Sequence, residues 1–154
     1  MVIRISFFVP GVPVPKGSGT PFRNRSTGKL FVRQSNADRQ RPWADAIAAA
    51  AFAAASAAVP GFAPVRQAAH IERLTFCFPR PKSHYRTGRH AHLLRLDAPE
   101  EHISAPDLDK LERCVLDALT AILWIDDRQV SKVRDKEKVY ADTPGVHVTV
   151  SLRE

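Results

Sequence analysis

The chain has 154 residues, 44% of them hydrophobic, which suits one domain with a real core. Its net charge of +7 and isoelectric point near 9.9 point to a polyanionic partner, nucleic acid ahead of a membrane surface, with a basic protein that is merely soluble as the open alternative. Only two cysteines occur, Cys77 and Cys114, too few for a disulfide framework or a zinc site, so a reduced, cytoplasmic setting is expected.

In chain order, Ile3, Ile5, Phe7 and Val9 alternate with Arg4, Ser6 and Phe8, the period of a strand with one buried face. This N-terminal stretch is too short and too alternating for a signal peptide. Residues 10–29, rich in Pro, Gly and basic side chains, read as a loop, and "LFVRQ" as a short second strand. Ser35 and Asp38 have the spacing of a capping box ahead of an alanine-rich helix. Trp43, Ile47, Ala50, Ala51 and Ala54 share one face of it, and its alanines favour helix and close packing on a sheet. The alanine run is interrupted and weakly apolar, so no membrane span is expected.

A strand over "IERLTFCFP" puts Leu74, Phe76 and Phe78 on one face. A basic loop follows at about residues 79–104, and between Arg80 and Arg95 it has five Arg or Lys, three His and no acid. It is either a solvated loop or a nucleic-acid contact through Arg80, Lys82, Arg86 and Arg89. Leu111, Val115, Ala118, Leu119 and Ile122 make a second helical stripe. In the strand "SKVRDKEKVY", Lys132, Arg134, Lys136 and Lys138 share a face by the period of two. "DTPG" is a turn signal before a last strand with Val146, Val148 and Val150 inward. The expected fold is α+β (mixed α/β): a single small domain over 1–154, with a mainly antiparallel or mixed sheet of four to five strands packed with two main helices.

The stretch "PDLDKLERCVLDALTAILWIDDRQV" gathers carboxylates at both ends of one helix pattern. With Asp107 in an extended lead-in after Pro106 and Asp109 in the first turn, both face one spot beside the positive end of the helix dipole. If the chain then turns back along the sheet, Asp126 or Asp127 can approach them. Such a cluster of hard oxygen ligands suits Mg²⁺, or Mn²⁺ as a substitute, with Arg113 one turn after Asp109 on the same face. Spacing alone equally allows a helix cap, an ordinary i, i+4 ion pair and turn residues, with Asp117 structural.

"PDLDKLERCVLDALT" followed by "DDRQV" resembles the RusA-type crossover-junction endodeoxyribonucleases, which cut Holliday junctions. "VPGVPVPKG", "RPKSHYRTGRHAHLLR" and "KVYADTPGVHVTV" resemble that family's N-terminal strand and loop, middle loop and final hairpin, so the likeness spans most of the chain. The resemblance implies a homodimer, Mg²⁺-dependent cleavage and four-way DNA junctions as substrate. It implies metal-binding roles for Asp107, Asp109 and Asp127, with Asp126 also matching. Arg113 stands where well-known members have a functional lysine, and Ala121 where glycine is common, a difference expected to touch packing alone. Lys16, in "PVPKG", is expected to help hold DNA. Two other outcomes fit the residues: a nuclease for branched or single-stranded DNA without junction preference, and a DNA-binding protein that has lost activity. The alanine-rich helix and the first strand are candidate dimer surfaces.

Overall fold

The structure is a computed structural model that describes residues 1–154, apart from the side chain of Gln34. Its elements are β1 (Val2–Pro10), β2 (Gly19–Arg23), β3 (Leu30–Gln34), α1 (Ala37–Ala58), β4 (Ala69–Phe78), α2 (Leu108–Leu119), β5 (Val130–Tyr140) and β6 (Gly145–Arg153). The main sheet has the order β1-β6-β4-β5, with β1–β6 and β6–β4 antiparallel and β4–β5 parallel. The expected mixed α+β fold with two helices is what forms.

Alternation explains the sheet. Ile5 lies opposite Val150, and Val150 opposite Ile71, so one buried row crosses three strands. Val9, Val146 and Phe76 form a second. The helices cover this apolar surface. α1 buries Trp43, Ile47, Ala51 and Ala55 and packs on β1 and α2. α2 buries Leu111, Cys114, Val115 and Leu119, joined in the core by Leu123 and Trp124. Both cysteines are free and buried, and burial pushes the Cys114 thiol up to about 11. No helix among the described residues is long and apolar enough to cross a membrane.

Four local expectations need correction. The stretch read as loop over 10–29 contains β2, which pairs with β3 in a separate two-stranded hairpin. The Ser35/Asp38 capping box does not form. Asn36 is the N-cap, without a side-chain cap bond: its Nδ2 donates to the Pro15 carbonyl at 2.8 Å, and its Oδ1, the atom that would cap, accepts from no backbone N–H. The "DTPG" turn does not close a hairpin: β5 and β6 lie on either side of β4, so the turn carries the chain across the end of β4. There Ala141 N–H donates to Phe78 O and Gly11 N–H to Pro144 O. Finally, Ala121 is more than a packing detail, since its φ of 66° is in the left-handed region where a Cβ is strained.

A candidate active site at the start of the second helix

Pro106 holds the lead-in to α2 extended. Asp107 is the N-cap residue at φ −66°, ψ 140°, and its side chain makes no cap hydrogen bond. The nearest cation to its carboxylate is Lys110 Nζ at 4.0 Å. Asp109 follows in the first turn, exposed, with no hydrogen bond or ion pair among the described residues. Arg113, one turn on, is exposed as well. Two exposed carboxylates, one free and one held only by the long contact to Lys110, therefore stand at the positive end of a helix dipole, with an arginine one turn on.

The lead-in is held from the sheet. Lys138, in register with Phe76, reaches across to donate to the carbonyls of Ser104 (2.7 Å) and Pro106 (2.8 Å). Lys136 forms an ion pair with Glu112 of α2. On the other side, Lys16 N–H donates to Lys110 O at 3.0 Å, and Lys16 Nζ pairs with Asp117 at 2.5 Å. A cleft of about 220 Å³ opens between Lys16, Gly17, Asn36, Pro106, Asp107 and Lys110. Gly17 lets the chain pass close to Asn36 there, since a Cβ on it would come within 2.1 Å of Asn36 Oδ1 and force that side chain to move. Under the lead-in, the His102 ring stacks on Phe78 at 4.1 Å, and the His102 backbone N–H donates to Lys138 O. Burial, and then the Lys138 charge, hold the His102 pKa below its usual 6.5.

Asp126 and Asp127 are at the far end. Asp126 accepts from Arg128 N–H at 3.0 Å and caps the short 3₁₀ turn Asp127–Gln129. Gln129 closes the capping box, accepting from Ile125 and Asp126 N–H and donating to the carbonyls of Val65 and Gln67. Asp127 is exposed. α2 has 12 residues, roughly 18 Å of helix. From Val130 to Lys138, β5 runs roughly 26 Å. The chain does turn back along the sheet, but it starts that return a helix length away from Asp107 and Asp109. Accordingly no group of three or more His, Cys, Asp or Glu side chains gathers as a metal site among the described residues.

The basic residues divide into engaged and free. Arg134 pairs with Glu72 at 2.8 Å, and Lys136, Lys138 and Lys16 have the partners described. Arg80 donates to Pro99 O at 2.6 Å and sits 5.4 Å over the Tyr140 ring. Lys82, Arg89 and Lys132 have no hydrogen bond or ion pair among the described residues. Arg86 spends only its Nε, on Leu94 O at 3.2 Å. Lys82, Arg86 and Arg95 line a hollow of about 560 Å³ in the 79–104 loop. Reading from the sequence overlooked Gln129 as the bond-making centre of "DDRQV", and Glu112. The only signal for either was its place inside the acidic motif.

A basic α+β domain with exposed carboxylates at a helix start and free cations elsewhere on its surface has the makings of a protein that handles phosphodiesters. Comparison with known families defines the class. Residues 10–151 match the family model of the endodeoxyribonuclease RusA, and the chain belongs to that family. It is thus an endodeoxyribonuclease, a hydrolase of phosphodiester bonds, of a family that resolves Holliday junctions and generally depends on a divalent metal. No curated protein matches the chain.

Proposed function

We propose that this protein is a Mg²⁺-dependent resolvase of four-way DNA junctions that works as a cytoplasmic homodimer, cutting paired strands by hydrolysis. The observation that carries the reading is the pair Asp107 and Asp109 at the α2 N-terminus, Asp109 without a partner among the described residues and Asp107 with only the 4.0 Å contact to Lys110, within a chain that matches the family over residues 10–151. Their hard, charged oxygens fit Mg²⁺, or Mn²⁺ in its place, and they are two of the three acids of the proposed ligand set.

The third acid explains the dimer. Asp127 is a helix length from Asp107 in its own chain. A two-fold axis across the middle of α2 and β5 sets two copies antiparallel, and so brings Asp127 of the partner subunit toward Asp107 and Asp109. This favours the α2–β5 side over β1 and α1 as the dimer surface. A C₂ dimer also offers two equivalent sites to a junction with two strands to cut.

When bound, the metal supplies Lewis acidity toward the scissile phosphate and lowers the pKa of a water at the site. Asp107 and Asp109 hold the charge that receives it, and Asp126 keeps the turn carrying Asp127 in shape. Arg113 neutralises charge building on the phosphate, with a planar guanidinium where a lysine would place a point charge. Lys82, Arg86, Arg89 and Lys132 hold the DNA backbone, which positions the substrate without reading its sequence.

The test is a labelled synthetic four-way junction incubated with and without Mg²⁺, mapping the cuts on each strand. Two symmetry-related nicks that require Mg²⁺ are expected. Equal cutting of linear duplex or single strands would replace the reading with a nuclease lacking junction preference, and cutting in excess chelator would remove the metal.

A further inference from the structure

The β2–β3 hairpin plays no part in the cleavage site, yet it is carefully built. Asn24 Oδ1 accepts from Ser26 N–H (2.8 Å) and Thr27 N–H (3.2 Å), Gly28 takes φ 69°, and Asn24 N–H donates to Lys29 O. The hairpin makes its main contacts between its own two strands. Phe22 and Phe31 are directly opposite each other, so both rings stand on one face. They are 58% and 50% exposed, and on the other face Leu30 and Val32 are 67% and 74% exposed.

A lone two-stranded hairpin is marginal in water, and this one offers large apolar groups to solvent on both faces. Its partner must also accept positive charge. Arg23, Arg25, Lys29 and Arg33 lie on the hairpin, and no acid occurs between Gly11 and Ala37. Two copies meeting through these hairpins would bring eight cations together, twice the four on each. A nucleic acid satisfies both needs, with phosphates for the cations and base faces for the rings. Inside a continuous duplex the bases cover one another and leave a ring nothing to stack on. Where duplex arms part, base faces open.

We propose that Phe22 and Phe31 form a wedge that stacks on the bases exposed at the branch point of the DNA, with Arg23, Arg25, Lys29 and Arg33 holding the flanking phosphates. The wedge sets the preference for branched over linear DNA. It rests on the junction substrate of the proposed function and names the residues that recognise it. Apolar side chains are known to enter opened base steps, and stacking of this kind tolerates any sequence.

The test uses the whole protein in metal-free buffer, with a four-way junction carrying 2-aminopurine beside the branch and a linear duplex of equal length. Wild type should raise the 2-aminopurine emission by unstacking that base. Phe22→Ala/Phe31→Ala should abolish the rise and weaken junction binding by about tenfold or more, while duplex binding changes by less than about twofold. Phe22→Trp keeps a stacking ring. Its exposed indole should be quenched by the junction and not by the duplex, against the buried Trp43 and Trp124. If wild type prefers the junction and the double alanine variant keeps that preference and the emission rise, the wedge is overturned while the junction reading stands. If wild type itself does not distinguish junction from duplex, the junction reading falls and takes the wedge with it. If the double variant becomes monomeric by light scattering, the hairpin belongs to a second copy and the proposal is overturned.

Discussion

Ala121 bears strain that its side chain causes. Its φ of 66° costs an L-residue roughly 1–2 kcal/mol, offset in part by the extra freedom glycine has when unfolded. Ala121→Gly should therefore stabilise the fold by about 0.5–1 kcal/mol, read as a higher urea midpoint with unchanged slope. An unchanged or lower midpoint would show that the turn after α2 holds this conformation without strain. His102 has a pH signature. Its pKa is lowered in the fold, first by burial and then by Lys138, while the unfolded chain titrates near 6.5. Below that value the unfolded state binds the proton more readily. Stability from this group is then full above pH 6.5 and is lost as pH falls toward the lower folded pKa. His102→Phe keeps a ring on Phe78 and removes the titration. Its stability should fall less steeply below pH 6.5 than that of wild type, and identical acid limbs would remove His102 from the account.

Among the elements, β5 joins the sheet to the site. Lys138 and Lys136 read in sequence as half of a DNA-facing stripe, yet their ammonium groups fasten α2 and its lead-in. Lys138→Ala should lower the single-turnover cleavage rate about tenfold or more by loosening the backbone that carries Asp107, with the salt dependence of binding unchanged. Lys82→Ala/Arg86→Ala/Arg89→Ala should do the reverse. Three lost phosphate contacts flatten the slope of log K against log salt by up to about 2.7. A Lys138 variant that flattens the slope and cuts at the normal rate would restore that residue to the DNA surface. A period of two tells which side chains share a face, not what covers it, so the ties of Lys136 and Lys138 to α2 and its lead-in were not legible. β1, α1 and β6 were legible, since each has one buried face and shows its period plainly. Of the β2–β3 hairpin, β3 was legible as "LFVRQ" but β2 was not: both faces of the hairpin are exposed, and Pro21 and Gly19 weaken the strand signal. The place of β4 between β5 and β6 was hidden for another reason. A Pro-Gly turn looks the same whether it joins paired strands or passes over a third.

Over the whole molecule, the proposed metal site needs three aspartates that a single chain keeps apart. The places of Asp107 and Asp109, as N-cap residue and in the first turn of α2, were legible because a proline lead-in and the start of an apolar stripe mark a helix beginning. The position of Asp127 was not, because sequence nearness to a helix end says nothing of the roughly 18 Å between its two ends. A site built from two copies and a site built within one chain make opposite predictions for a mixture. Asp109→Asn and Asp127→Asn should each fold, dimerise and bind junction DNA, and each should lose cleavage by several orders of magnitude. Mixed under exchange, about half of the dimers become hybrids, and each hybrid contains one site with both lesions and one with none. Nicking should return to about a quarter of the wild-type number of active sites, with single nicks and no paired cuts. If all three aspartates served a site within one chain, every site in the mixture would retain a lesion and the mixture would remain as inactive as its parts. Recovery of nicking thus decides whether α2 is completed by the second copy, and a silent mixture whose exchange is verified by differently tagged subunits would end the composite site.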